Sequence, residues 1–317
     1  MDSFIYSLNA TVPVFLLMIL GNVLYRRGML DRHFSDVADR LVFKVCLPCM
    51  LFMNLSGTDI RKNFDVAYLG FCFGVTLASI LGIWGLARIF LRDRSMVGAF
   101  VQGSYRSSAA ILGIAFIENI YGSSEMAPLM MLGSVPLYNI FAVVVLTLEN
   151  DRTRGQAPGK KIRRACIGVL KNPIIISIFL GLLASYFRLE LPGMLGRAAE
   201  NLGAITSPLA LVSIGVSFQG RHALAKLGQT GVAAFMKLVG FAAIFLPLAV
   251  WLGFRDQKLI AIIIMLASPC TPTAYIMAKN MGGDWSLASS IVVVTTLLSS
   301  VTLTGWIFLA RCLGLVF

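Results

Sequence analysis

The feature that most constrains this chain is the recurrence of apolar stretches along almost its entire length. Each stretch has about 20 residues, which is enough for a helix to cross about 30 Å of hydrocarbon. In lipid, only α-helices and closed β-barrels satisfy their own backbone hydrogen bonds, and these stretches are too long for barrel strands of about ten residues. The sequence therefore predicts an all-α integral membrane protein.

Composition agrees with this prediction and leaves no sizeable soluble domain. Of the 317 residues 57% are hydrophobic and 13% are charged, whereas soluble domains usually contain about 25% charged residues. Charged and Gly/Asn/Asp punctuation divides the chain into ten predicted spans. They cover approximately residues 4–25, 35–55, 66–90, 96–121, 126–148, 166–187, 194–218, 230–254, 259–281 and 285–313.

The net charge of +12 indicates membrane topology rather than a nucleic-acid-binding surface, because the basic residues lie in short runs between apolar spans. Sixteen Lys and Arg residues lie around the first, third, fifth and seventh connections, and seven lie around the others. Basic residues near helix ends are retained in the cytoplasm. We therefore expect a multi-pass protein of the cytoplasmic membrane with both termini outside.

The two halves of the chain resemble each other. Pro48 precedes Asn119 by 71 residues, and Pro208 precedes Asn280 by 72, so the halves are offset by 160 to 161 residues. This predicts a first five-helix repeat at 1–149, a basic cytoplasmic linker at 150–165 and a second five-helix repeat at 166–317. Because five is an odd number, the second repeat must be inverted in the membrane, as in many transporters.

Span nine contains the sequence SPCTPTAY, in which two prolines lie three residues apart. Each proline removes a backbone donor and clashes with the preceding turn. A broken helix is one interpretation and a plain proline kink is the other. In a broken helix, the freed groups and nearby hydroxyls would line a substrate site. The candidate residues are Ser268, Pro269, Thr271, Pro272 and Thr273.

Span four, the repeat mate of span nine, contains Arg106, Ser107, Ser108 and Gly113. An arginine far inside an apolar span is expensive to insert and marks a functional site by default. Its guanidinium could receive a substrate carboxylate in bidentate fashion. Alternatively, Arg106 braces the broken helix by bonding backbone carbonyls or Glu118.

Other charged residues in the spans receive simpler interpretations. Lys44 and Lys237 lie within about three turns of the predicted cytoplasmic surface, so both are expected to snorkel. Glu118 and Lys279 occupy equivalent repeat positions, but inversion directs them to opposite surfaces, and we expect no pairing between them.

Cysteine and histidine give no metal or catalytic signature. Cys46 and Cys49 form a C-x-x-C motif, whose main interpretation is helix packing and whose alternative is soft-metal binding. His33 and His222 have no ligand at useful spacing, and no P-loop or nucleophile elbow is present. We expect no catalytic residues, no cofactor and no metal.

Five strings in order resemble the auxin efflux carrier family, including its bacterial members. They are LVFKVCLPCMLF in span two, YRSSAAILGIAF in span four, LKNPIIISIFLGL in span six, SPLALVSIGVSF in span seven and PTAYIMAKNMGGD in span nine. The resemblance implies two inverted five-helix repeats whose helices four and nine are broken and cross at the substrate site. It also implies secondary transport of small organic anions, with malonate or malate named for bacterial members.

The chain departs from the family pattern at the crossover. In span four, Ser108 stands where the family usually has asparagine, and Ala115 stands where it usually has the proline after the GI pair. In span nine, Thr273 stands where the family usually has asparagine.

The function that follows is a carrier, not an enzyme, moving a small mono- or dicarboxylate by alternating access. The alternative is a sodium- or proton-coupled carrier of related fold with a non-carboxylate substrate. An intramembrane enzyme or a sensor lacks the paired catalytic groups or the output domain it would need. The expected partners are the organic anion and membrane lipid, with a homodimer as a candidate assembly and no nucleic acid.

Overall fold

The computed structural model describes residues 2–57, 65–109, 117, 121, 126–149, 167–189, 191–217 and 226–316, with side chains from residue 12 onward. Within these ranges the chain is helical and has no β-strand. The helices are α1 (Asp2–Arg26), α2 (Arg32–Leu41), α3 (Leu47–Ser56), α4 (Val66–Phe90), α5 (Val97–Tyr105), α6 (Ala127–Leu148), α7 (Pro173–Phe187), α8 (Gly193–Ala204), α9 (Thr206–Ser217), α10 (Leu227–Phe235), α11 (Phe241–Trp251), α12 (Asp256–Ala267), α13 (Thr273–Met281) and α14 (Trp285–Cys312). Single π-helical turns, Val42–Cys46 and Met236–Gly240, join α2 to α3 and α10 to α11.

Each of the ten predicted spans contains at least one of these helices. Five continuous helical segments are long and apolar enough to cross a membrane: α4, α6, α8 with α9, α10 with α11, and α14. Large apolar side chains project outward from them, as Phe90 on α4 and Phe308 on α14 do. The all-helical membrane class is therefore confirmed, whereas the count of ten crossings stays a prediction.

Aspartate side chains fix where three helices begin. Asp31, Asp65 and Asp284 each precede a helix, and each carboxylate accepts a hydrogen bond from a backbone N–H of the first turn. Such caps satisfy donors that have no partner inside the helix, and a negative charge is favourable at this end.

The helices pack as two bundles. The first bundle contains α1, α2, α3, α7, α8 and α9, and the second contains α4, α5, α6 and α10 to α14. The bundles meet chiefly where α1 packs on α14 and where α2 and α9 pack on α13. Each bundle thus takes helices from both halves of the sequence.

Glycines allow the closest contact inside the first bundle. A Cβ added to Gly21 on α1 would lie 2.3 Å from the carbonyl oxygen of Val212, and one on Gly215 of α9 would lie 2.1 Å from that of Met18. The Asn22 side-chain amide donates to the Gly215 carbonyl at 3.2 Å. Small residues and interhelical hydrogen bonds of this kind hold helices together in lipid.

Candidate functional site

Two helices are interrupted in the second bundle. α12 ends at Ala267, Ser268 is extended, and α13 begins only at Thr273, so the interruption predicted at Pro269 and Pro272 is present. α5 ends at Tyr105, and the following three residues are non-helical although none of them is proline. Both helices therefore leave backbone groups without intrahelical partners inside the protein.

The two interruptions contact each other and satisfy some of those groups. The Ser108 backbone N–H donates to the Pro269 carbonyl at 3.0 Å. The hydroxyls of Ser107 and Ser268 share a short hydrogen bond, and the Ser107 hydroxyl also lies 3.2 Å from the Ile264 carbonyl. We call this contact between residues 106–108 and 268–273 the crossing.

Arg106 lies at the centre of the crossing and is 3% exposed. One Nη donates to the side-chain oxygen of Asn139 at 3.0 Å and to the hydroxyl of Thr273 at 2.9 Å, and the other lies 2.7 Å from the sulfur of Met277. Its Nε–H is buried and has no partner within the part of the chain that the structure describes. Among the described residues no carboxylate forms an ion pair with Arg106, so its charge is surrounded by neutral groups.

The start of α13 supplies further polar groups beside Arg106. The hydroxyls of Thr271 and Thr273 lie 3.1 Å apart, and the backbone N–H of Cys270 donates to the Thr295 hydroxyl at 3.1 Å. Pro272 precedes the first residue of α13. Because a helix N-terminus carries a partial positive charge, it adds to the positive charge of Arg106.

Lys237 contradicts the expectation that it snorkels to the surface. It is fully buried, and its ammonium donates to the Leu266 carbonyl at 2.7 Å and lies 3.4 Å from the Met265 carbonyl. A cation is favourable at the C-terminal end of a helix. Lys237 therefore caps the end of α12, whereas Lys44 is exposed as expected.

Most predicted site residues are brought together. Seven of the nine are buried at the crossing, and Ser108 is half-buried. Gly113, like Glu118, lies outside the described residues. The cavity predicted between the interruptions does not match any of three cavities of about 420 to 540 Å³, which are lined by other residues. The role of the nine predicted site residues in substrate binding stays a prediction.

A third cation, the partly buried Lys279, was not recognised as functional from the sequence. Lys279 on α13 forms ion pairs with Asp39 at 2.7 Å and Asp36 at 2.8 Å, both on α2. Four hydroxyl residues, two serines of α9 among them, complete the group. We call it the Lys279 cluster; its members are Ser35, Asp36, Asp39, Ser213, Ser217, Tyr275 and Lys279.

Comparison with known proteins gives consistent results over the full length. A model of the family described as "Membrane transport protein" matches residues 6–307. A protein of Rhizobium meliloti named "Putative malonate transporter" is 25% identical over 307 residues, which cover 95% of this chain and 94% of that protein. An "Uncharacterized transporter" of Methanothermobacter thermautotrophicus and the "Uncharacterized transporter YfdV" of Escherichia coli are each 20% identical, with 96% of this chain and 98% of theirs covered.

The family model covers nearly the whole chain, including both interrupted helices, and confirms the resemblance to auxin efflux carriers. The chain belongs to the membrane transport protein family.

Proposed function

We propose that this protein is a secondary carrier that moves a small organic anion across the cytoplasmic membrane by alternating access. The observation that carries the proposal is the state of Arg106: a guanidinium 3% exposed, at the contact of two interrupted helices, with neutral partners only among the described residues. The substrate carboxylate supplies the missing negative charge.

Desolvation explains why an anion should bind there. Removing a charge from water costs several kcal/mol even after relaxation, and neutral hydrogen-bond acceptors offset only part of that cost. A carboxylate that accepts from Nε and one Nη would use the donor now without a partner and form a bidentate pair. The N-terminus of α13 and the hydroxyls of Thr271 and Thr273 favour the same charge.

The proposal includes the two inverted repeats, and the crossing supports them. Ser107 and Ser268 are 161 residues apart and hydrogen-bond to each other. That separation equals the offset between the halves of the sequence. Equivalent residues of two repeats can contact each other only near the axis that relates them, so the crossing marks the expected axis.

Ion pairs between connections support the proposed alternation of the spans across the membrane. Arg88 pairs with Glu149, and Lys226 pairs with Asp284, in each case between ends assigned to the cytoplasm. Lys258 pairs with Asp65 between ends assigned to the outside. Contacts of this kind join only ends that lie on the same side of a membrane.

Alternating access follows from the closure of the crossing. Its residues are nearly all buried, so substrate can reach Arg106 only after packed helices separate. The crossing belongs wholly to the second bundle. A movement of that bundle as a unit would therefore separate helices at the interface between the two bundles. We propose that the second bundle moves relative to the first and exposes the crossing to each side in turn.

Malonate is the probe of choice, because one relative is named for it. A ligand that binds only the folded state raises the melting temperature. We expect malonate to do so for the wild type. Arg106→Lys and Arg106→Gln should weaken binding by roughly tenfold to a hundredfold, since hydrogen bonds to charged groups contribute about 1.5–3 kcal/mol.

The matched control is Arg92→Gln, which removes an exposed arginine after α4 and should leave malonate affinity unchanged. Affinity should be measured by isothermal titration calorimetry on each purified variant. If both Arg106 variants bind malonate as the wild type does, Arg106 is not part of the binding site and serves only as a brace.

A further inference from the structure

Asp39 in the Lys279 cluster has an uneven set of partners. Its side chain is 2% exposed, and one carboxylate oxygen accepts from Lys279 at 2.7 Å and from the Tyr275 hydroxyl at 3.1 Å. The other oxygen, Oδ1, is buried and has no hydrogen-bond partner among the residues that the structure describes. A buried acceptor without a donor is unfavourable, and a proton is the smallest ligand that would bind it.

The cluster also joins the two bundles. Asp39 lies on α2 of the first bundle, beside Ser213 and Ser217 of α9, whereas Tyr275 and Lys279 lie on α13 of the second. Any movement that separates α13 from α2 breaks the ion pair. Asp39 would then be a buried carboxylate without a cation, which is strongly unfavourable.

We propose that Asp39 is a proton-binding site that couples substrate movement to one proton. The inference rests on the carrier function proposed above. When Lys279 moves away with α13, a hydronium ion transfers its proton to Oδ1 of Asp39, so that one hydronium O–H bond breaks, an O–H bond to Oδ1 forms and a water molecule is left. Lys279 keeps its three protons and its charge, and no other bond breaks. When the bundles close again, Asp39 releases the proton and the ion pair reforms.

Neighbouring groups give the proton a route to the surface. With the bundles closed, Asp36 is 56% exposed and shares Lys279 with Asp39, so the cluster reaches from water to the buried carboxylate, and the departure of Lys279 opens this side to water. The titratable or charged groups around Asp39 lie on α13, on α2 and on the π-helical turn that follows α2. They are Tyr275 and Lys279 on α13, and Arg32, His33, Asp36, Arg40 and Lys44 on α2 and the turn. The polar side chains that α9 presents to this site are hydroxyls only.

The test uses full-length protein in proteoliposomes loaded with buffer at a pH one unit from that outside, with membrane potential clamped at zero. Coupling to one proton predicts that the gradient changes steady-state malonate accumulation by up to about tenfold, because one pH unit corresponds to a tenfold ratio. Asp39→Asn should abolish the response while retaining malonate exchange at equal pH. Asp31→Asn should respond as the wild type does, because Asp31 is an exposed carboxylate before α2 that lies outside the Lys279 cluster, and asparagine keeps the helix cap.

Because the protonation of malonate is the same in every variant, the difference between variants isolates Asp39. Retention of the gradient response by Asp39→Asn would overturn the proposal. So would a wild type that exchanges malonate without responding to the gradient, and this result would leave the carrier function intact.

A second measurement requires no substrate and tests the proton site by itself if malonate does not bind or exchange, an outcome that would exclude malonate as the substrate of the proposed carrier. The Lys279 ammonium lies 5.8 Å from the ring centre of Trp285, so protonation of Asp39 should alter the fluorescence of that tryptophan. Trp285→Phe identifies its contribution. We expect an acid-induced change in the wild type and in Asp31→Asn that is absent in Asp39→Asn; the same change in all three would overturn the proton site.

Discussion

Arg106 and Lys279 are both largely buried cations of the second bundle, but their surroundings differ. Arg106 is held by an amide, a hydroxyl and a thioether, and its Nε–H has no partner in the described ranges of the chain. Lys279 is held by two carboxylates of the first bundle. Among the described residues, carboxylates therefore neutralise Lys279, whereas Arg106 has neutral partners only.

A buried cation can perform either of two tasks, and its partners indicate which one. An ion pair within the protein fixes how two parts are arranged, and its loss leaves a buried charge behind. A cation with neutral partners makes a smaller contribution to the fold and a larger one to binding. The following predictions test whether the two residues divide in this way.

The largest expected effect on stability comes from Lys279→Met. Removing this cation leaves Asp39 buried without a counter-ion, which should reduce the free energy of unfolding by about 3–5 kcal/mol. Arg106→Gln should have a much smaller effect on stability. It removes neutral hydrogen bonds that contribute about 1 kcal/mol each, but it also removes the cost of burying a charge that no described carboxylate offsets. Melting temperatures of the two variants, measured by differential scanning fluorimetry in detergent, make the comparison.

A double variant provides the control. Adding Asp39→Asn to Lys279→Met removes the stranded charge and should recover much of the lost stability, since residues in contact are not additive. The comparison fails if Arg106→Gln lowers the melting temperature as much as Lys279→Met does.

The smallest expected effect concerns an ion pair at the opposite end of the helices. Asp65 lies before α4, outside the helix, and the hydrogen bond from the Lys258 ammonium at 2.6 Å, together with the Tyr68 backbone N–H, lowers the pKa of its carboxyl. The resulting stabilisation is present above the unfolded pKa of about 3.9 and is lost as pH falls through the lower folded pKa. Because this pair is partly exposed, it should contribute less than about 1 kcal/mol.

Asp65→Asn tests this, because asparagine keeps the helix cap and removes the charge. The wild type should melt slightly higher than the variant near neutral pH, and the two should converge in acid. A difference that persists unchanged in acid would show that the Asp65 charge is not its source.

Much of the helical arrangement could be predicted, because it depends on local chemistry. Apolar stretches indicated the helices, and Pro269 and Pro272 indicated the interruption of span nine. The interruption after Tyr105 has no proline and was expected only from the family resemblance and the pairing of span four with span nine, because there the break depends on contacts with the other interrupted helix.

The side-chain partners could not be predicted in the same way. Lys237 has a long flexible side chain, and whether it points to water or to the carbonyls of α12 depends on a helix distant in sequence. Asp39 was overlooked because an acid near a span end has the pattern of a surface residue. Its partner Lys279 is 240 residues away and was considered only against Glu118.

Counterflow in proteoliposomes tests the central claim most directly. Vesicles loaded with unlabelled malonate and diluted into a trace of radiolabelled malonate should take up label transiently when they contain the wild type, because a carrier exchanges substrate across the membrane. Vesicles with Arg106→Gln should take up much less, and those with Arg92→Gln should match the wild type. Uptake by Arg106→Gln equal to that of the wild type would contradict the account, because the buried cation would then not be the anion's partner.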